Sequence, residues 1–411
     1  MSQKSELVPK RRFKEFENAG DWEQRKLSDL IQTMRGGASI APNDYKDTGV
    51  ATVPKGAINP TGVADLSGSK YVSKKFFEKN ENSTVPSGGL VTSLRDLVPS
   101  APNMGRIVKV KGNCQRYLMP QGVYSIFLQD KVDENFLISF SNTSKFRKII
   151  SKEKNGSTQV HIRNSEYLGI TINTPGIEEQ QKVGTFLKQI DNTITLHQRK
   201  LDKLNNIKQS YLYQMFPQNG EKVPKLRFAD FNDEWEERKL GEMVGTISSG
   251  NRLPKSELTK GNVPYIVAQT KNNGVFGYIS ENTKDYNGND MKLFPSNSIS
   301  FSIDNPEAIF YRNEPFYTSN IMRVIHNETL SEFDYIFIIE SMKMFTKSYD
   351  WSRKFSGPIV SNLKIMFPMD NEEQLKIGQF FKQLDETIEV QEQELEKLKN
   401  LKEAYLNEMF V

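Results

Sequence analysis

The sequence predicts a mixed α+β chain: two pseudo-repeated globular α/β domains separated by two long antiparallel coiled-coil helices. Three observations carry that expectation. Residues 177–216 and 371–410 align without gaps at an offset of 194, with 20 of 40 positions identical. Both segments hold an unbroken apolar seam at heptad spacing. The regions between them show strand signals followed by a helical period, in the same order in each half.

The elements follow in chain order. An arm is expected over residues 1–21, carrying VPKRRFKEF, a block that returns as VPKLRFADF at 223–231. Each block leads into a Trp-Glu-x-Arg-Lys-Leu run, Trp22 to Leu27 and Trp235 to Leu240. The first globular domain is expected at 22–175. Its strands fall in TVPKGAI, GGLVTSL, GRIVKVKG and GVYSIFL, where β-branched and aromatic residues are bounded by Gly and Pro, and a helix covers 134–149. A long helix occupies 176–216, begun by Pro175 with Glu178 and Glu179 in its first turn. Its seam is Val183, Leu187, Ile190, Ile194, Leu201, Leu204, Tyr211 and Met215, interrupted by His197 and Lys208. A linker spans 217–234, and the acidic run from Asp233 to Glu237, which crosses its end, reads as a solvated helix start.

The second globular domain is expected at 235–369, with strands in VPYIVAQT, GVFGYIS, SISFSI, AIFYRNEPFYT and IMRVIH and a helix at 332–346. The second long helix, 370–411, follows Pro368 with Glu372 and Glu373 in its first turn. Its seam is Ile377, Phe381, Leu384, Ile388, Leu395, Leu398, Tyr405 and Met409, interrupted by Gln391 and Lys402. A helix of that length runs about 60 Å at 1.5 Å per residue, and its apolar seam must be covered. The chain has two such helices, so each covers the other. Antiparallel pairing is favoured because each variable region enters its own helix at the same point. Polar seam positions fix register at some cost in stability; His197 is a partly exposed seam residue with no catalytic role. Residues 38–155 and 251–356 look unrelated, so a common scaffold carries two different recognition surfaces.

Composition bounds the function. The 411 residues include 25 Phe, 15 Tyr and 3 Trp, too many aromatics for a disordered chain. No apolar run reaches the roughly 18 residues of a membrane span, and the first residues lack a secretory apolar core, so a cytoplasmic protein is expected. A single cysteine, Cys114, excludes an internal disulfide, and with three His it makes a structural zinc site improbable; no metal site is expected. The net charge of +4 is unevenly placed: residues 1–176 carry +9, residues 371–411 carry −5. The first half can attract a polyanion through its field; the second must rely on local clusters.

Catalytic motifs are missing. There is no GxxxxGK[ST] phosphate loop, no Gly-rich dinucleotide loop after a strand and no GxSxG elbow. The Asn/Asp-Pro-Pro-aromatic tetrad of an adenine methyltransferase is absent; Asn59-Pro60-Thr61 and Asp304-Asn305-Pro306-Glu307 are the nearest strings. No catalytic residue is assigned. The candidates are DNA-contacting side chains, since Arg and Lys match guanine and Asn and Gln match adenine. They are Lys55, Arg95, Arg106, Arg116, Gln159 and Arg163 in the first half, and Arg252, Gln269, Lys271, Asn272, Arg312, Arg353 and Lys354 in the second. Arg147-Lys148 and Lys152 with Lys154 are candidate phosphate holders.

The architecture resembles the specificity (S) subunit of type I restriction–modification systems. The residues that carry the resemblance are the Glu-Glu-Gln–xx–Lys-Ile/Val-Gly–x–Phe runs leading to Asp191 and Asp385, the Gly156-Ser157-Thr158-Gln159 stretch ahead of Leu168 and Ile170, and the two Trp-Glu-x-Arg-Lys-Leu openings. The second copy of the Gly-Ser-Thr-Gln stretch, at Gly357-Pro358-Ile359-Val360, is degenerate. The resemblance implies two target recognition domains, each reading half of a bipartite asymmetric site in double-stranded DNA, on helices that set the unread spacer. It implies two methyltransferase (M) subunits, which bind S-adenosylmethionine and methylate adenine N6, and restriction (R) subunits that use ATP and Mg in cleavage, as in phage defence. None of that chemistry is on this chain, and no membrane partner is implied. An alternative reading is a free-standing DNA-binding regulator with a coiled-coil core.

Overall fold

The computed structural model describes residues 7–411 apart from 219, 254–257, 259, 348 and 351–352. The first six residues of the expected arm lie outside the described residues. Two compact units form. One comprises the chain up to Arg199 together with Gln393–Val411; the other is Lys200–Glu392. Each long helix therefore contributes to both units, where the sequence reading treats the helices as separate segments.

The first unit is built on a four-stranded antiparallel sheet in the order Ile31–Gly36, Val123–Leu128, Leu90–Ser93, Ile107–Lys109. The second repeats it with Ile247–Ser249, Met322–Ile325, Ser298–Ser302 and Ile309–Arg312. In each unit a two-stranded ladder ties the entry to the strand that leads into the long helix: Glu23–Lys26 with Thr171–Thr174, and Glu236–Lys239 with Lys364–Phe367. The acidic run expected as a helix start thus enters a strand, because Trp235, 1% exposed, anchors it to the core. TVPKGAI, residues 52–58, is not a strand: the strand Val50–Ala51 ends before it, Thr52 makes an isolated bridge to Leu118, and Pro54 then begins a turn in which Ala57 N–H donates to its carbonyl. The helix expected over 134–149 is two, Glu134–Phe140 and Ser144–Glu153, with Thr143 Oγ1 capping the second by accepting from Phe146 N–H at 3.2 Å. Its counterpart Glu332–Thr346 is unbroken, and Ser331 and Asp334 close a capping box at its start.

The long helices are Ile177–Met215 and Asn371–Glu408. Within the first unit Phe186 meets Tyr405 at 4.9 Å between ring centroids, Asp191 pairs with Lys402 at 2.5 Å and His197 lies 3.6 Å from Glu394. One number rises as the other falls, so the helices are antiparallel there. Within the second unit Tyr211 meets Phe380 and Lys208 pairs with Asp385, the same register displaced by 194. None of the sixteen apolar seam residues is exposed. Leu212 and Leu406 lie off the seam and are also buried, because the globular part of each unit covers a second helix face.

The cores are aromatic and symmetric in composition. Trp22, Phe136 and Phe410 cluster in the first unit, with Phe136–Phe410 centroids 5.1 Å apart. Trp235, Phe337 and Phe216 do so in the second, with Phe216–Phe337 at 5.2 Å. Each globular domain thus packs around the C-terminal end of the long helix that belongs to the other half of the repeat.

Candidate nucleic-acid interface

The conserved-looking blocks are structural. Arg12 clasps Glu179 with two hydrogen bonds of 2.7 Å, and Trp22 Nε1–H points to the same carboxylate at 3.4 Å. Arg227 and Trp235 repeat the clasp on Glu373 at 2.6, 2.8 and 3.2 Å. Burial would penalise these carboxylates unless paired; the bidentate guanidinium supplies the partner, and Glu179 raises the Arg12 pKa further above its usual value. Gln180 and Gln374 bind the start of the sheet-packed helix: Asp133 N–H donates to Gln180 Oε1 at 3.1 Å, and Gln374 Nε2–H donates to Asp334 Oδ1 at 2.5 Å. The arm residues from 7 to 21 are therefore fastened down, with Arg11 also paired to Glu408.

With the scaffold accounted for, a cleft of about 530 Å³ remains in the first unit. Lys55, Arg95 and Gln159, three of the six first-half candidates, line it together with Ser93, Gln121 and His161. The strand Leu90–Ser93 delivers Arg95: Leu94 is buried, and Arg95–Asp96 pairs antiparallel with Val160–His161. Ser93 Oγ–H bridges to Arg95 O at 2.8 Å and Gly122 O at 3.3 Å, which holds the floor. Leu97 stands at the rim, 72% exposed. The arrangement offers donors, amides and one apolar contact, the side-chain set that meets base edges and phosphates.

The other first-half candidates lie elsewhere. Arg116 is exposed on its strand and pairs with Glu81; Arg163 is exposed beside Glu166. Arg106 is half-buried and donates to Pro102 O and Asn142 Oδ1; burial and the nearby Arg147 pull its pKa down to about 10. Arg147, expected to hold phosphate, instead donates to the carbonyls of Met104 and Ala101, and Lys154 to that of Pro99. One cause unites the three: loop carbonyls over 99–104 need donors, and nearby cations satisfy them.

In the second unit the guanidinium of Arg252 stacks on the exposed Tyr286 ring at 4.6 Å. Gln269, Lys271 and Asn272 share one hairpin turn, where Gln269 Nε2–H donates to Val275 O at 2.9 Å and Asn272 takes a left-handed φ of 49°. Arg353 and Lys354 are exposed, and Lys354 lies 3.6 Å from Asp304. Arg312 is the second correction. It is 6% exposed, donates from Nε to Ser300 Oγ at 2.8 Å and sits between the Phe310 and Phe316 rings. Burial pulls its pKa down to about 10. Its own burial at the end of the strand Ile309–Arg312 makes it a core residue rather than a DNA contact.

Sequence reasoning missed Ser93, Gln121 and His161 in the cleft and the Glu179 and Glu373 anchors. Gly122 and the Gln159–His161 run were visible as turn and strand signals, but only pairing brings them to one place. Among the described residues there is no cluster of three metal-ligating side chains and no helix long and apolar enough to cross a membrane.

Comparison with known proteins agrees with this geometry. The family model described as the type I restriction modification DNA specificity domain matches residues 19–206 and 232–400. The chain is 22% identical to a putative type I restriction enzyme MjaX specificity subunit of Methanocaldococcus jannaschii, over 94% of this chain and 92% of that protein. It is 25% identical to the MjaIX specificity subunit of the same organism, over 84% and 81%. The crystal structure of a type I restriction-modification S subunit from M. genitalium superposes with a TM-score of 0.69 at 16% identity, covering 98% of this chain and 99% of that one, which establishes the shared fold. A structure from a study of type I R-M complex assembly gives 0.51 at 17% identity, over 95% and 97%. With the repeat, the paired helices and two matched domains in hand, the chain belongs to the type I restriction modification DNA specificity family.

Proposed function

We propose that this chain is the non-catalytic DNA-recognition subunit of a type I restriction–modification complex. Each unit reads one half of a bipartite, asymmetric site in double-stranded DNA. The paired helices set the unread spacer and dock the methyltransferase subunits, and restriction subunits complete the assembly. S-adenosylmethionine, ATP and Mg belong to those partners.

One observation carries the reading: two units with the same strand order and the same buried Arg–Glu–Trp clasp present dissimilar surfaces. A scaffold repeated so closely supports a common mechanical task, and dissimilar surfaces support two different targets. The modest net charge of +4 fits a subunit that shares phosphate contacts with partners. The names of the relatives point the same way.

Single-molecule methylome sequencing tests the proposal in a host expressing the chain with its methyltransferase, against the host lacking the chain. Adenine methylation at a split motif is expected only when the chain is present. Identical methylomes, with both proteins present and co-purifying, would refute it.

A further inference from the structure

The central sheets of the two units have the same strand order, so side chains that differ at equivalent places around them carry information. Backbone pairing fixes the equivalence. Ile162 N–H donates to Leu94 O at 3.0 Å in the first unit, and Phe355 N–H donates to Ile303 O at 2.9 Å in the second. The residue after each acceptor lies two positions past the end of the matching sheet strand: Arg95 after Leu90–Ser93 in one unit, Asp304 after Ser298–Ser302 in the other. The residue before each donor faces it: His161 pairs with Arg95 in the ladder, and Lys354 lies 3.6 Å from Asp304. The neighbouring wall differs as well. Thr52 bridges Leu118 as Tyr265 pairs with Tyr317, so Lys55, three residues on, is matched by Ala268.

An exposed guanidinium therefore stands where the second unit has an exposed carboxylate. These are opposite reading heads. Guanine presents two acceptors, N7 and O6, to the major groove, which suit the Arg fork; a carboxylate accepts from the N4 amino group of cytosine. Resting on the reading of this chain as a bipartite DNA-recognition subunit, we infer that this strand end is a specificity-determining position in both units. Arg95 reads a guanine in one half-site, and Asp304 accepts from a cytosine amino group in the other. Lys354 balances the Asp304 charge until the base arrives; His161 and Lys55 line the cleft with Arg95, and Asp96, its strand neighbour, is the one acid among the lining residues.

The test is a cycle of protein and base-pair substitutions. The complex containing this chain is purified, its methylated motif is read, and affinities at fixed salt are measured for the motif duplex and for duplexes with one base pair replaced. For the wild type, replacing the guanine pair is expected to weaken binding roughly 5- to 150-fold. Arg95→Ala weakens the motif duplex by a similar factor and removes the penalty for that one replacement, while penalties in the other half-site stay as they were. Arg95→Lys keeps the charge but loses the fork, so it retains more affinity yet also loses the guanine discrimination. Asp304→Ala acts in the same way on one cytosine of the other half-site. Thermal unfolding matched to wild type is expected for all three, since both side chains are at the surface. Unchanged penalties in the Arg95 variants, or effects of the Arg95 and Asp304 variants in the same half-site, overturn the inference and leave bipartite recognition standing. A wild-type complex with no sequence-dependent binding overturns the reading beneath it.

Discussion

Individual residues divide into those that hold the scaffold and those free to face a ligand, and burial draws the line. Glu373 is fully buried and its charge is met by Arg227 and the Trp235 indole. Glu373→Gln keeps the shape but strands the Arg227 guanidinium, and a loss of roughly 3–5 kcal/mol in the second unit is expected from urea unfolding. Replacing both partners by apolar residues should cost much less, because neither charge is then left alone. Arg312 behaves in the opposite sense. Its pKa is pulled down to about 10 by burial, so the charged form is what folding disfavours. Arg312→Met is expected to leave stability unchanged or raise it by about 1–2 kcal/mol at neutral pH. A DNA half-site altered by Arg312→Met would count against its assignment to the core.

At the scale of elements, the repeated Lys-Ile/Val-Gly motif is explained by close approach. A Cβ at Gly378 would lie 2.1 Å from Phe333 O, and one at Gly184 would lie 2.6 Å from Phe136 N. Alanine favours a helix by about 1 kcal/mol over glycine, but overpacking costs about 1–3 kcal/mol or more, and backbone is the obstacle here. Gly378→Ala should therefore destabilise the second unit by about 1–2 kcal/mol net in chemical denaturation; a stabilised variant would show that the helices can separate freely. The polar seam residues find their reason at this scale too. Lys208 is held by Glu340 and Asp385, and Lys402 by Asp191, so both lysines are register pins that only one antiparallel alignment satisfies.

For the molecule as a whole, the helices are the measurable variable. Removing one heptad from each shortens a helix by about 10.5 Å, the rise of about three base pairs. Methylome sequencing of that variant is expected to show a shorter spacer between two unchanged half-sites; altered half-sites would refute the ruler. The cores add a second expectation. Phe410 lies in the first unit's core and Phe216 in the second's, so Phe410→Ala should lower only the first unit's transition, by about 3–5 kcal/mol. Limited proteolysis or hydrogen exchange resolved by unit would report it.

The sequence by itself determined the repeat, the two long helices, their heptad seams and the kinship of the two halves, because helical periodicity and a gapless repeat are local patterns written along the chain. Lys55, Arg95 and Gln159 were also legible as candidates, as residue types. Tertiary structure alone decided which candidates meet in one cleft, that Arg312 is buried and that Arg106 and Arg147 serve loop carbonyls. It also decided that Glu179 and Glu373 anchor arms whose contacts are 167 and 146 residues away in sequence. Strand pairing sets those outcomes. It joins segments far apart in the chain, and a shift of one residue turns a side chain from the cleft into the core.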